Sequence, residues 1–332
     1  MVHILHDKSI KSHNQSQVTE FILLGIAYVS HWKSLIFIVF LAVFLMTVIG
    51  NSVIILVVRL NISLHTPMYV FLTNLSFLEL CYTSITIPNI LSGIISQSGA
   101  ISFSGCIVQV YLFTSCATTE CILLAAMACD RYVAICRPLR YTVIINRMVC
   151  AYLVMFAWLS GVLNSTINTV VTSKLNFCGS NSIERLYCEV QPLIRLSCSD
   201  THLSDILATV SAAVFGVSCL IFILTSYLFI LVAIMKMRSR SSRHKTFSTC
   251  TSHITVVILY FGALIFMYLL PTDGSSEKMD SAVSMIYSTV TPLLNPIIYS
   301  LRNHQVLGAV KNMMRFRCSL KSSHTCRGGH TA

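Results

Sequence analysis

The stretch ECILLAAMACDRYVAICRPLRY, from Glu120 to Tyr141, decides the fold. It begins with one acid in an apolar run, passes through the triplet Asp130-Arg131-Tyr132 and ends in a basic turn that contains a proline. Cationic residues accumulate on the cytoplasmic side of a bilayer. The stretch therefore predicts a membrane helix whose carboxyl end reaches the cytoplasm.

The composition indicates a membrane protein. Hydrophobic residues make up 55% and charged residues 11% of the 332 positions, and the formal net charge is +11. Soluble domains carry about a quarter charged residues. A positive charge of this size would favour nucleic-acid binding only on the basic face of a soluble domain, whereas here the basic residues lie between apolar runs. We therefore expect an integral membrane protein that does not bind nucleic acid.

Seven apolar runs are long enough to cross a bilayer, which takes about 20 residues. The run from 60 to 119 is too long for one helix, and polar and glycine residues at 97–100 favour a turn that divides it. The predicted fold is all-α, a seven-transmembrane helix bundle over residues 34–301. An extracellular segment (1–33) precedes it, and a short amphipathic helix and cytoplasmic tail (302–332) follow it. The predicted spans are 34–58, 67–96, 106–135, 148–173, 204–235, 246–271 and 281–301.

The basic residues indicate which end of the chain faces the cytoplasm. Sixteen of the 23 lysines and arginines fall on the side of the Asp130 turn, whereas nine of the 12 acids fall on the other side. The positive-inside rule therefore predicts a multi-pass plasma-membrane protein with an extracellular amino terminus and a cytoplasmic tail. Asn14, in Asn14-Gln15-Ser16, is then a glycosylation acceptor on the outer side.

Two acids, Glu79 and Glu120, are predicted at mid-membrane depth. An unpaired charge there costs on the order of 3 kcal/mol or more. Asn51 and Asn295 lie at comparable depths on the first and seventh spans, and oxygen ligands of this kind suit a sodium ion or a shared proton. The alternative is that both acids are neutral and hydrogen-bonded within the bundle. No other cofactor is expected.

Cysteines at the outer face predict disulfides, because the secretory route is oxidising. Cys106, Cys178, Cys188 and Cys198 lie there, and four thiols permit three pairings. Disulfides would help the loop from Lys174 to Leu203, here called the lid, to fold over the helix ends. Within the membrane, the fourth span offers little recognisable chemistry. For Cys250 and His253 on the sixth span, packing or hydrogen bonding is favoured over metal binding, which needs further ligands.

Five motifs in chain order resemble those of the olfactory (odorant) receptors, a branch of the rhodopsin-like G-protein-coupled receptors. The likeness runs from Asn14 to about Met314. The motifs are PMYVFL from Pro67 with Leu75-Ser76, MACDRYVAICRPLRY from Met127, Ser226-Tyr227, KTFSTCTSH from Lys245, and PLLNPIIYSLRN from Pro292. Three positions depart from the family pattern: Cys129 replaces a tyrosine, Thr246 replaces an alanine, and Glu79 stands where aspartate is more common.

The resemblance implies the pairings Cys106–Cys188 and Cys178–Cys198. It also implies that Asp130, Arg131 and Tyr132 form an inner switch, in which Asp130 holds Arg131 at rest and releases it toward a G protein when the sixth helix swings out. Tyr227 and Tyr299 would support the active arrangement. Glu79, Glu120, Asn51 and Asn295 match the intramembrane polar site of the family. The resemblance thus implies a receptor that binds a small-molecule odorant and activates a stimulatory, olfactory-type heterotrimeric G protein, raising cyclic AMP.

The expected ligand site lies between the third, fifth, sixth and seventh spans, near the outer face. Counting outward from Arg131 by helical turns, and similarly on the neighbouring spans, nominates Val110, Phe113, Thr114, Ala117, Thr118, Ser211, Phe215, Phe261, Leu264, Ile265, Tyr268, Met285 and Ser288. None of these is acidic or basic, and Phe113 occupies the place of the aspartate that binds amines in aminergic relatives. A small, neutral, volatile ligand is therefore expected. Ordinary helix packing is the alternative for each position.

Other functions remain in competition. A transporter or channel would be favoured by internal repeats or a polar path across the membrane, and beyond Glu79 and Glu120 the sequence shows neither. A rhodopsin-like receptor for a peptide, a lipid or another non-odorant molecule is the third hypothesis. An enzyme is not expected, because no His, Ser or Cys lies beside a base in a recognisable catalytic arrangement.

Overall fold

The computed structural model describes residues 18–27, 33–269, 289, 291–296, 298 and 308, without the side chains of 242, 245, 248, 249, 252 and 266–269. Asn14, Met285, Ser288, Tyr299 and nearly all of the predicted tail helix lie outside the described residues, as does the side chain of Tyr268. The described part of the chain is mostly helical.

Six long helices follow one another along the described chain: α1 (Lys33–Leu60), α2 (Pro67–Ser96), α3 (Phe103–Cys136), α4 (Arg147–Thr172), α5 (His202–Met235) and α6 (Arg240–Leu269). Helices α1 to α5 are each long and apolar enough to cross a membrane. Residues 291–296, within the predicted seventh span, are helical as well. Short helical turns also occur at Leu24–Ala27, Ile62–Leu64, Pro138–Arg140, Tyr141–Ile144 and Val190–Leu196.

Local sequence explains several helix ends. Helix α2 begins at Pro67. Proline suits a first helical turn, because N–H groups there have no partner within the helix and proline has no N–H. It ends before Gln97, which adopts a left-handed conformation with φ 54° in the turn predicted at 97–100. Helix α3 is capped by the Ser102 hydroxyl, which accepts from the Gly105 N–H at 3.1 Å. The Asn146 side chain caps α4 in the same way.

Helix α3 lies at the centre of the bundle and packs against α2, α4, α5 and α6. Leu123, Leu124 and Ala128 on its inner half are fully buried. Gly161 allows α4 to approach closely, because a Cβ at this position would meet the Thr119 side chain and the Ser115 carbonyl. The remaining faces of α1, α4 and α5 expose large apolar side chains, as expected where lipid is the surrounding medium.

A small sheet joins the amino-terminal segment to the outer loops, and no sequence pattern predicted it. Strand β1 (Glu20–Leu23) lies between β2 (Ala100–Ser102), antiparallel, and β3 (Ser182–Ile183), parallel. Phe21 of β1 is fully buried, and its ring lies 5.2 Å from that of Phe177 and 6.0 Å from that of Phe103. Strands of two to four residues carry too little periodicity to be recognised, so long-range pairing decides them.

Two disulfides hold the lid. Cys106 is bonded to Cys188 and Cys178 to Cys198, with Cα atoms 5.5 Å and 6.0 Å apart. These are the pairs that the resemblance implied, and they decide among the three pairings that the sequence alone left open. The first bond ties the lid to the outer end of α3, and the second closes a loop within the lid.

Candidate functional site

An aromatic layer lies at the outer half of α3. It consists of Tyr82 of α2, Phe113 of α3 and Tyr187 of the lid. The Phe113 ring centroid lies 4.7 Å from that of Tyr82 on α2 and 4.8 Å from that of Tyr187 in the lid. All three side chains are buried. Phe113, a predicted ligand-site residue, is therefore held between α2 and the lid by contacts between aromatic rings. Aromatic pairs favour offset or tilted arrangements at such distances.

The structure describes the side chains of ten predicted ligand-site residues. On α3, Val110 and Thr118 are buried with Phe113, while Thr114 and Ala117 are half-buried. On α6, Phe261 is buried, Leu264 is half-buried, and Ile265 is 41% exposed. Ser211 and Phe215, both half-buried, lie on α5 at the point where a π-helical segment (Ala212–Val217) interrupts the α-helix. No local pattern indicated this segment, which shifts the helical register near Phe215.

A network of hydrogen bonds connects α3, α4 and α5, and we call Thr118, Asn164, Asn168 and Ser211 the polar seam. Asn164 Nδ2 donates to Thr118 Oγ1 at 2.9 Å, and Ser211 Oγ donates to Asn164 Oδ1 at 2.7 Å. Asn168 Nδ2 lies 3.0 Å from Ser211 Oγ and 3.1 Å from Asn164 Oδ1. The expectation that the fourth span offers little chemistry is wrong. Two asparagines at i and i+4 were the signal that could have revealed the seam.

The mid-membrane polar residues come together between α1, α2, α3 and the seventh span. Asn295 Nδ2 donates to Glu79 Oε1, and Asn51 Nδ2 donates to the Pro292 carbonyl at 3.3 Å and to the Thr47 carbonyl at 3.0 Å. Glu79, Asn51, Asn295 and Glu120 are all buried. Three oxygens of these four side chains have no hydrogen-bond partner among the described residues: Glu120 Oε1, Asn51 Oδ1 and Asn295 Oδ1. Such oxygens fit a hard cation or a proton.

The inner end of α3 holds a charged pair. Arg131 Nη2 lies 2.9 Å from Asp130 Oδ2, and the side chain of Asp130 is 1% exposed, whereas that of Arg131 is 16% exposed. Tyr141, in the loop after α3, donates its hydroxyl to Asp130 Oδ1 at 2.7 Å. Burial, and then the hydrogen bond to Asp130, raises the pKa of the Tyr141 phenol above its ordinary value. The phenol therefore keeps its proton near neutral pH and remains a donor.

Helices α5 and α6 are joined near their inner ends. Tyr227 Oη and His253 Nδ1 lie 2.6 Å apart, and both side chains are buried. The preference for a hydrogen-bonding His253 over a metal-binding one fits this contact. Among the described residues, no group of three or more His, Cys, Asp or Glu side chains is placed to hold a metal ion. Tyr132, also on the predicted switch, contacts Phe229 with ring centroids 6.0 Å apart.

Comparison with known proteins decides the family. A family model described as olfactory receptor matches residues 40–317. Human olfactory receptor 11L1 is 45% identical over 92% of this chain and 95% of its own length, and mouse olfactory receptor 5AP2 is 45% identical over 92% and 97%. Human olfactory receptor 8D4 is 44% identical over 92% and 98%. The chain belongs to the olfactory receptor family.

Membership confirms the resemblance inferred from the five motifs, and with it the fold class. This olfactory receptor is a multi-pass membrane protein with a seven-helix G-protein-coupled-receptor fold, of which the described residues show six long helices and part of the seventh. The family is one of receptors, not of enzymes. The chain covers nearly the whole length of each named relative, so the match is not confined to one motif.

Three functional candidates in the olfactory receptor had no role predicted from the sequence: Tyr141, Asn164 and Gln109. Each is a polar residue whose partner is distant in the chain or on another element. The partners are Asp130, Thr118 and the Cys188 N–H respectively. Spacing along one helix cannot identify such partners, because they depend on how the elements pack.

The polar seam generates a stability prediction. Asn164→Leu removes the amide from its contacts with Thr118 and Ser211, so we expect it to destabilise the receptor by about 2 kcal/mol through buried groups left unpaired. Thermal denaturation of the detergent-solubilised receptor measures this. Thr166→Ala is the control, because that exposed hydroxyl bonds to the Val162 carbonyl of its own helix. Equal melting temperatures for the two variants would contradict the prediction.

Proposed function

We propose that this olfactory receptor binds a small, neutral, mostly apolar volatile molecule and activates a stimulatory, olfactory-type heterotrimeric G protein, raising cyclic AMP. It would act in the plasma membrane with its amino terminus outside. The observation that carries the proposal is the arrangement along α3. The same helix bears Phe113 in the aromatic layer at its outer half and the Asp130–Arg131 pair at its inner end.

The ligand side of the proposal rests on the chemistry of the predicted pocket residues. Val110, Phe113, Phe215 and Phe261 offer apolar surface, and burying apolar surface yields about 25 cal/mol per Å². The proposed lining contains no Asp or Glu side chain that would anchor a charged amine. Thr118 accepts a hydrogen bond from Asn164, which leaves its hydroxyl hydrogen available to orient a ligand oxygen. This favours a neutral molecule with few polar atoms.

The proposed coupling to a G protein rests on contacts at the inner ends of the helices that a helix movement could break. Asp130 is engaged by both Arg131 and Tyr141, so Arg131 is held at the inner end of α3. Tyr227 and His253 hold α5 and α6 together close by. A movement of α6 would break the second contact and open space beside Arg131, through which a G-protein segment could reach the guanidinium. Two discrete arrangements of packed helices are the usual basis of such switches.

The intramembrane polar cluster is proposed to hold a sodium ion or a proton. Glu79, Glu120, Asn51 and Asn295 would supply the oxygens, and the three unpartnered oxygens among them support this assignment. A bound cation would neutralise the buried acids and stabilise the bundle in the state that binds it best.

Measurement of cyclic AMP tests the function. The chain, expressed with the olfactory stimulatory G protein, is screened against a broad panel of odorants, and we expect a concentration-dependent rise for at least one neutral volatile. Ligand-dependent current without any G protein would favour a channel instead. Responses confined to peptides or lipids would favour a receptor for a non-odorant mediator.

Phe113 provides a test of the ligand site. Phe113→Asp places a carboxylate in the aromatic layer at a cost on the order of 3 kcal/mol, so we expect loss of the odorant response by about a hundredfold or more. Phe113→Leu keeps an apolar side chain and should lose far less. Cell-surface labelling confirms that both variants are displayed. An unchanged response in Phe113→Asp removes the residue from the site.

Tyr141 provides a test of the switch. Tyr141→Phe removes the hydrogen bond to Asp130 and weakens the resting arrangement by about 1.5 kcal/mol, the low end for bonds to a charged group. We expect basal cyclic AMP to rise severalfold at equal surface expression. Tyr152→Phe, at an exposed position on α4, is the matched control. Basal signalling that stays at the wild-type level in Tyr141→Phe would argue against the lock.

Sodium dependence tests the polar cluster. In receptor membranes, we expect NaCl to lower basal nucleotide exchange severalfold relative to choline chloride at equal ionic strength, because the ion would bind the resting bundle more tightly. Glu120→Gln keeps the shape of the side chain but removes its charge, so this sensitivity should disappear. Equal exchange in the two salts for the wild-type receptor would favour neutral, hydrogen-bonded acids.

A further inference from the structure

Two parallel layers join α2, α3 and the lid. The outer one, here called the amide layer, consists of the Ile85 carbonyl, the Gln109 side chain and the Cys188 N–H. Gln109 Nε2 donates to Ile85 O at 3.0 Å, and Gln109 Oε1 accepts from the Cys188 N–H at 2.9 Å. The inner one is the aromatic layer. Gln109 and Phe113 are four residues apart on α3, or about 6 Å along the helix axis.

The amide layer controls the backbone from which Tyr187 projects. The Cys188 N–H belongs to the peptide unit that joins residues 187 and 188, and peptide units are planar. A hydrogen bond to this N–H therefore fixes the orientation of the unit and the direction in which the Tyr187 side chain leaves the chain. The Cys106–Cys188 disulfide joins the same residue through its side chain and leaves rotation of that peptide unit open.

The other arm of Gln109 reaches α2 in the turn before a proline. Pro88 lies inside α2, three residues after Ile85. It has no N–H to donate to the carbonyl four residues earlier, that of Ser84, so the hydrogen bonds of this turn are weakened. The Gln109 side chain supplies a donor to the adjacent Ile85 carbonyl, and side chains of neighbouring helices commonly support such turns within the membrane. Gln109 is itself 2% exposed, and both the NH2 and the carbonyl oxygen of its side-chain amide are hydrogen-bonded within the protein.

We propose that Gln109 is the positioning residue of the lid. By holding the peptide unit between Tyr187 and Cys188 at a fixed height above Phe113, it makes Tyr187 the roof of the ligand site and thereby limits the length of the ligand. The part concerning ligand length rests on the proposed function. The part concerning the lid does not, and separate experiments address the two parts.

Chemical labelling on intact cells tests the position of the lid. Leu186, beside Tyr187, is buried, and the cysteines near the lid are paired in the Cys106–Cys188 and Cys178–Cys198 disulfides. In a Leu186→Cys background, we expect Gln109→Met to raise the rate of labelling by a membrane-impermeant maleimide about tenfold. Gln109→Glu retains the acceptor for the Cys188 N–H and should raise it less.

The labelling experiment has two controls. Ser180→Cys, at an exposed lid position, shows the rate for an open thiol. Gln191→Met, which replaces a half-buried glutamine of the lid outside both layers, should leave the Leu186→Cys rate unchanged. Equal labelling rates for Leu186→Cys with and without the added Gln109→Met substitution would overturn the positioning role, whether or not a ligand is known.

A homologous series of straight-chain aldehydes, from butanal to dodecanal, tests the limit on ligand length. We expect Gln109→Met and Tyr187→Ala each to shift the most potent aldehyde toward longer chains, and the double variant to shift it no further than Tyr187→Ala alone. If these two residues only stabilise the fold, the substitutions would lower all responses together without changing which aldehyde is most potent. That outcome would contradict the proposal that Tyr187 limits the length of the ligand. If the wild-type receptor answers none of the aldehydes, the length series is built from homologues of the odorant found in the cyclic AMP screen, while the labelling result alone decides the lid.

Discussion

A polar side chain inside a membrane-spanning bundle has to find its partner within the protein, because the hydrocarbon around it offers none. In this olfactory receptor several such partnerships meet on α3. Gln109 joins it to α2 and the lid, Thr118 to α4, and the Ala117 carbonyl accepts from Tyr260 Oη of α6 at 2.8 Å. At its inner end Asp130 binds Arg131 and Tyr141. The position of α3 is thus specified at every depth of the bundle.

This arrangement gives the proposed function a physical route. The Tyr260 hydroxyl contacts both the Ala117 carbonyl and Cys121 Sγ, the latter at 3.2 Å, so α6 is attached to α3 directly below the proposed ligand site. Farther inward, α6 is attached to α5 through His253 and Tyr227. In the proposed function, a ligand that changes the packing near Ala117 would therefore act on α6, whose inner half lies beside the proposed Arg131 switch. Contacts of this type favour two discrete states over continuous deformation.

At the outer face, backbone polar groups also find their partners in distant parts of the chain. Strand β1 pairs with segments from two different loops, and Phe21 fills the space beside Phe103 and Phe177. Gly99 is required at this place, because a Cβ would collide with the Leu23 carbonyl. Together with the disulfides, the sheet attaches the amino-terminal segment and the lid to the helix ends.

Much of the framework could be predicted from local patterns. Apolar length predicted the long helices that the structure describes, the turn at 97–100 divided two of them, and five motifs together led to the family. The disulfide pairs followed only from resemblance, since four cysteines alone permit three pairings. The sheet, the π-helical segment of α5 and the partners of Tyr141 could not be predicted, because each depends on residues that are distant in the chain.

The sequence by itself determined which segments are long and apolar enough to cross a membrane and which polar residues lie within them, because apolar length is a local property of the chain. Only the tertiary structure decided how those polar residues are paired. Asn164 with Thr118, Tyr141 with Asp130, and Gln109 with Ile85 and Cys188 meet because of the way in which the helices and the lid pack. Hydrogen bonds act over about 3 Å, so their partners are selected by packing in three dimensions and not by spacing along the chain.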